Sequence, residues 1–255
     1  MTTQSMSFKK PLWRQANLDF IRRQKALWNR SKLAYGYVEL FGQTGAEMYN
    51  LLLPCLPHEK GKTQHFIGVD HDAGILMNYV LHNGEPNFRL ILGDIYEVLP
   101  RLLSNQERKG GVKLGVVNLD TTNGIREIWW HEHREILRDA VQRGTKGCPG
   151  SFSLILNHAL ERGGDTGVSV EDRIKIHAKG LATTFASWKL TEKHVLEGFQ
   201  PEALHKGPAN DEDQKPWKTG GFEIYRSQPE HGGGRRIRMI TVRLTFRDGR
   251  VIVDR

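Results

Sequence analysis

Short apolar runs alternate with helix-length segments between residues 35 and 160, and this alternation leaves the chain few folds to choose from. YGYVELFG (35–42), HFIGVD (65–70), FRLILGD (88–94), KLGVVNLD (113–120) and SFSLILNHAL (151–160) each read as a strand. Between them AEMYNLLLPCL (46–56), AGILMNYVLHN (73–83), IYEVLPRLLSN (95–105) and IREIWWHEHREILRDAVQ (125–142) read as helices, the first stopped by Pro57. Strands this apolar need cover on both faces, so the pattern predicts a mostly parallel sheet with helices on either side. The C-terminal part breaks the alternation. Residues 169–199 read as helix and 205–221 as a polar loop. GFEIYRS (221–227) and RRIRMITVRLTFRDG (235–249) then read as an antiparallel pair joined by QPEHGGG. No internal repeat and no separating linker is visible, so one α/β domain over 35–255 is expected behind an N-terminal segment, 1–34.

That N-terminal segment is distinctive in charge. Residues 9–34 hold Lys9, Lys10, Arg14, Arg22, Arg23, Lys25, Arg30 and Lys32 against one acid, Asp19, with Trp13, Phe20 and Trp28 interleaved. Residues 1–15 read as loose and 17–32 as a helix, so the segment is expected to form a basic helical arm. With a net charge of +8 the whole chain favours contact with a polyanion, and nucleic acid is the expected partner. No apolar stretch reaches membrane-spanning length, and no apolar segment follows the N-terminal charges as in a secretory signal; a cytoplasmic, membrane-free protein is expected. Cys55 and Cys148 are too few for a disulfide framework or a metal site. His131 and His133 in WWHEH are spaced i,i+2, which puts them on different faces of a helix, so they read as solvated and no metal is expected.

The strand ends carry the chemistry. After the first strand comes Glu39-Leu40-Phe41-Gly42-Gln43-Thr44-Gly45-Ala46. A glycine there permits a sharp turn and lets backbone N–H groups approach a ligand. The turn lacks the full G-x-G-x-x-G dinucleotide fingerprint. The second strand ends in Asp70-His71-Asp72, where a carboxylate suits a ribose diol. The third ends in Asp94-Ile95, an acid for an adenine amino group beside an apolar neighbour, and the fourth in Asn118-Leu119-Asp120-Thr121-Thr122-Asn123-Gly124. Four strands thus end in acids or amides on the carboxyl edge, where open α/β sheets bind ligands.

On these residues the chain resembles the class I S-adenosylmethionine-dependent methyltransferases, over roughly residues 35–160 for the cofactor half. The resemblance implies an α/β fold, Rossmann-like and doubly wound, with a mostly parallel sheet and a C-terminal antiparallel strand hairpin. ELFGQTGAE looks like that family's first motif, implying Glu39, Gly42, Thr44 and Gly45 around the methionine part of S-adenosylmethionine. VDHD looks like the second, implying Asp70 on the ribose with His71 beside it. LGDIYEVLP looks like the third, implying Asp94 and Ile95 near adenine. NLDTTNG occupies the place of the fourth, near the methyl donor, but lacks the Asp/Asn-Pro-Pro-aromatic signature of enzymes that methylate exocyclic amines of bases or glutamine amides.

The expected activity is therefore methyl transfer to nucleic acid. Asp120 is the candidate for accepting a hydrogen bond or proton from the methyl acceptor, with Asn118 and Asn123 orienting. Asn157 and His158 at the end of the fifth strand fall on the same edge, and Thr121 and Thr122 could line the entry. A methyltransferase of small molecules or proteins, an oxidoreductase, and a non-catalytic module with a degenerate cofactor pocket stay open as alternatives.

Overall fold

The computed structural model describes residues 11–31, 35–42, 49–50, 52, 65–84, 86, 88–106, 113–148, 151–160, 167–204, 217–226 and 238–255. It is a mixed α/β fold with a mostly parallel central sheet and antiparallel C-terminal strands. The chain divides into two compact units, one of Met1–Leu119 and Asp139–Leu154, the other of Asp120–Arg138 and Ile155–Arg255.

The first unit begins with helix α1 (Pro11–Ser31). It starts inside the stretch expected to be loose, because Pro11 is pre-set for the first helical position and its missing N–H would have had no partner there. Leu18, Phe20 and Ile21 are buried, and so are Arg14, Asn17 and Gln24. Spacings of three and four put Arg14, Asn17, Ile21 and Gln24 on one face, so part of the expected basic stripe is turned inward. Arg22 and Arg23 remain on the exposed face.

Strands β1 (Tyr35–Leu40), β2 (Phe66–Asp70), β3 (Arg89–Leu92) and β4 (Lys113–Gly124) follow, in the order β3-β2-β1-β4. The pairs β1/β2, β1/β4 and β2/β3 are all parallel, as the apolar patterning predicts. Register places Glu39 opposite Gly68 on one side and Asn118 on the other, and Asp70 opposite Leu92. Helix α2 (Ala73–Asn83) is capped by Asp72, whose Oδ1 accepts from Gly74 N at 2.8 Å, and closes on Gly84 at φ +76. Helix α3 (Ile95–Asn105) is capped by Asp94, whose Oδ1 accepts from Tyr96 N at 2.8 Å. β4 continues to Gly124, four residues beyond the expected strand.

Phe41, Tyr49, Phe66, Tyr79 and Phe88 form an aromatic core behind these strands, with Tyr49 and Phe88 centroids 4.2 Å apart. Gly68 makes room for it: a Cβ there would stand 2.5 Å from the Phe41 ring. Helix α4 (Glu127–Gly147) is the long amphipathic helix expected from WWHEH.

Strand β5 (Phe152–Ala159), whose residues are all buried and which belongs to the second unit from Ile155 on, is ordered with the C-terminal strands as β5-β8-β7-β6. These are β6 (Trp217–Thr219), β7 (Phe222–Arg226) and β8 (Arg238–Arg247), and β9 (Arg250–Val253) pairs with β8. The pairs β6/β7, β7/β8 and β8/β9 are antiparallel, so the expected hairpin gains a strand on each side. The β8–β9 turn is Asp248-Gly249, with φ of +51 and +69, the two-residue turn whose twist suits a hairpin.

The single helix expected over 169–199 is broken. Helix α5 (Val170–Thr184) is capped by Ser169, and helix α6 (Glu192–Leu196) is capped anew by Thr191, whose hydroxyl accepts from His194 N at 3.2 Å. Between them Lys189 adopts φ +61, while Phe185, Leu190 and Val195 are all buried. Burial of these three apolar side chains around a turn outweighs helical propensity there.

Strands β7 and β8 share one buried ion pair. Arg243 Nη1 and Nη2 donate to the Glu223 carboxylate at 2.8 and 3.0 Å, with 3% and 4% exposure of the two side chains. Removing one partner strands a charge in the interior. Arg243→Met is expected to cost about 3–5 kcal/mol in urea unfolding, and the added change Glu223→Leu to recover much of that loss.

Candidate functional site

In the first unit one residue ties together the ends of three strands. The Asp70 carboxylate accepts from Gly42 N at 2.8 Å and from Asp72 N at 2.9 Å. The Asp70 carbonyl accepts from Gly93 N at 2.9 Å, after β3. Phe41 N, just before the β1 turn, bonds Val69 O at 2.8 Å. The turn of β1, the end of β2 and the end of β3 are therefore held on one residue, through its carboxylate and its carbonyl, and that residue is 4% exposed. A carboxylate offers about four acceptor positions, and two backbone N–H groups leave capacity for hydroxyls of a ligand.

Gly42 sits at φ +52, the left-handed region that L side chains rarely adopt. Among the described residues, no atom lies within 4 Å of where its Cβ would stand. Among the described residues, then, no side chain screens the Gly42 backbone, whose N–H is turned to Asp70. Thr44 and Gly45 lie outside the described residues.

The remaining cofactor candidates divide by exposure. His71 is 83% exposed, its Nδ1 3.8 Å from Asp70 Oδ1. Asp94 is exposed at the start of α3, where it caps the helix. Ile95 is 2% exposed. Its side chain belongs to the buried face of α3 with Leu99, Leu102 and Leu103, so it does not offer the open apolar surface expected of it.

Glu39 and Asn118 are joined in a buried network. Tyr37 Oη donates to Glu39 Oε2 at 2.7 Å, and Asn118 Nδ2 donates to Tyr37 Oη at 2.8 Å and to Glu39 Oε2 at 3.3 Å. Their exposures are 0%, 3% and 1%. Parallel register sets Glu39 and Asn118 opposite each other, and Tyr37, two residues before Glu39, shares its face. Asn118 thus holds the acid at the end of β1, a more internal role than the orienting one expected.

In the second unit Asp120, half-buried, accepts through Oδ1 from Asn157 Nδ2 on β5. Asn157 Oδ1 in turn accepts from Tyr225 Oη at 3.0 Å and Thr241 Oγ1 at 2.8 Å. Burial, and then the Asp120 charge, push the Tyr225 phenol well above its ordinary range, so it stays a donor. Tyr225 and Thr241 escaped the sequence reading, since only strand pairing brings β5, β7 and β8 together. The side chains of Thr121, Thr122 and Asn123 lie outside the described ones.

His158 is fully buried, its ring 4.4 Å from Trp129 and 5.0 Å from His177. Trp130 lies 5.2 Å from His177, and Phe222 stacks on His177 at 5.6 Å. Gly180 admits the Trp130 indole, which would meet a Cβ at 2.2 Å. His158 is thus part of an aromatic cluster closed to solvent, the surroundings of a packed ring. Of the WWHEH histidines, His131 is exposed and His133 stacks on Trp129 at 4.8 Å. Among the described residues no group of three His, Cys, Asp or Glu side chains could hold a metal ion, and no helix is long and apolar enough to cross a membrane.

No family model matches the sequence, and no curated protein does. Solved structures that the fold resembles include S-adenosylmethionine-dependent methyltransferases, at low identity. Human methyltransferase-like protein 13, in complex with S-adenosylhomocysteine, is 13% identical; the match covers 90% of this chain and 81% of that one, with a TM-score of 0.47. An S-adenosylmethionine-dependent methyltransferase from Anabaena variabilis is 16% identical over 91% and 84% of the two chains, with a TM-score of 0.41. The plantazolicin methyltransferase BamL, also in complex with S-adenosylhomocysteine, is 12% identical over 67% of this chain, with a TM-score of 0.40. The chain spans 60% of the length of BamL.

Desolvation, and then the neighbouring His158, hold the His177 imidazole well below its ordinary range, so it is neutral in the folded chain. The unfolded chain binds a proton at this residue at higher pH than the folded one does. Stability is therefore lost as pH falls through the ordinary histidine range. His177→Phe is expected to lose less stability than the unaltered chain between pH 7 and pH 5, measured as the difference in urea midpoints.

Proposed function

We propose that the chain is an S-adenosylmethionine-dependent methyltransferase acting on nucleic acid. The observation that carries the cofactor reading is the Asp70 carboxylate: a buried acid at the end of β2 that holds the N–H of Gly42, a glycine in the left-handed region. In an open parallel sheet of order β3-β2-β1-β4 the switch point lies at β1, and ligands bind at the carboxyl edge there. Asp70 would accept from the ribose hydroxyls, Asp94 from the adenine amino group, and Glu39 would face the methionine amine across the β1 turn. S-adenosylmethionine, when bound, supplies an activated methyl group on a sulfonium. The chain's own residues orient the cofactor by its polar groups, and Asp120 would take the proton that the methyl acceptor gives up.

Nucleic acid as the acceptor rests on the +8 charge and on the excess of Lys and Arg over residues 9–34. Cytoplasmic residence is part of the same proposal.

S-adenosylhomocysteine is expected to raise the melting temperature; at a hundred times its Kd the gain is about 2.7 kcal/mol. Asp70→Ala should abolish this shift, with circular dichroism checking that the variant is folded. NAD should give no shift. Radiolabelled methyl transfer from S-adenosylmethionine onto total RNA, DNA and protein then identifies the acceptor pool. Label on protein alone would overturn the nucleic-acid proposal, and absence of any shift would overturn the cofactor reading.

A further inference from the structure

We infer that the hydroxyls of Tyr225 and Thr241 position the Asp120 carboxylate, acting through the side-chain amide of Asn157. The inference rests on the methyltransferase reading, in which Asp120 receives the acceptor's proton. All four residues belong to the second unit.

An amide oxygen has two lone pairs, and Asn157 Oδ1 accepts from both hydroxyls, at 3.0 and 2.8 Å. That arrangement leaves the amide one orientation. Its oxygen faces β7 and β8, and its Nδ2 donates to Asp120 Oδ1. Turned over, the amide would set its oxygen against a carboxylate and its N–H groups against hydroxyls that could then only accept. The donation to Asp120 is charge-assisted, which favours one carboxylate placement.

The residue types are not those that packing alone would select. Asn157, Tyr225 and Thr241 are 0%, 2% and 1% exposed. Buried hydroxyls and amides are costly without partners, and Phe and Val fill the same spaces on strands at no such cost. Two hydroxyls, from β7 and β8, converge instead on one amide of β5, and that amide donates to a half-buried acid. Tyr225 also stays protonated, because burial first and the Asp120 charge second raise its phenol. It therefore donates throughout the pH range in which a carboxylate accepts a proton.

The test compares the full-length chain with Tyr225→Phe, Thr241→Val, the double variant and Thr241→Ser. Asparagine-selective 15N labelling follows the Asn157 side-chain amide, assigned by its loss in Asn157→Ser. Its exchange with solvent is expected to speed by at least about tenfold in the double variant, which loses both hydrogen bonds to Oδ1, and to stay near the original in Thr241→Ser. Unchanged amide exchange in the double variant overturns the proposal, whatever the enzymology shows.

On the acceptor pool that the unaltered chain labels, kcat should fall about tenfold in the double variant and recover in Thr241→Ser. KM for S-adenosylmethionine and Kd for S-adenosylhomocysteine should not move. A fall in melting temperature with kcat unchanged means that the hydroxyls only support the strands, and the proposal is then wrong. Failure of the methyltransferase reading shows separately: the unaltered chain would neither bind S-adenosylhomocysteine nor label any pool, while amide exchange still reports on the positioning.

Discussion

The geometry of the first unit depends on the hydrogen bonds that converge on Asp70. Strand ends in a parallel sheet have no hairpin to fix them, so each loop on the carboxyl edge needs its own restraint. Here one residue restrains three of them: its carboxylate takes the Gly42 and Asp72 N–H groups and its carbonyl takes Gly93. Behind it, Phe41 is held in the aromatic core and Gly68 is kept small enough to let it in. A ligand that hydrogen-bonds Asp70 would thus meet a group whose orientation is already set, at little further entropy cost.

The second unit uses a different device. Its strands β7 and β8 are antiparallel and nearly all buried, and they carry polar side chains that are satisfied pairwise: Glu223 with Arg243, and Tyr225 and Thr241 with Asn157. Each pair lowers the penalty of burying a polar group, and each is made between strands. The Trp129, Trp130, His158 and His177 cluster nearby is the apolar counterpart, with two imidazoles packed as rings.

Local signals were readable where the physics is local. The apolar runs of β1, β2, β3 and β5 and the helix expected over 73–83 correspond to elements close to those expected, while the capping roles of Asp72 and Asp94 went unread. The Asp248-Gly249 turn is also a local signal, and it accounts for β9 beyond the expected pair. Misreadings arose where burial overrides propensity. The helix expected over 169–199 breaks because Phe185, Leu190 and Val195 all turn inward, and Arg14, from the segment that reads as a basic arm, is drawn into the first unit. Ile95 reads as a ligand contact from its place beside Asp94, yet the 3.6-residue period of α3 puts it on the buried face.

By itself the sequence determined the α/β class, the parallel character of the first strands and the acids at their ends, because hydrophobic period and strand-end chemistry are written in adjacent residues. Only the tertiary structure decided which of those acids work together. Asp70 meeting Gly42, Glu39 meeting Asn118, and Asp120 reached from Tyr225 and Thr241 through Asn157 join residues 28, 79 and about a hundred positions apart. Such pairings follow from strand order and register, which are set by the packing of the whole sheet and by no short stretch of chain.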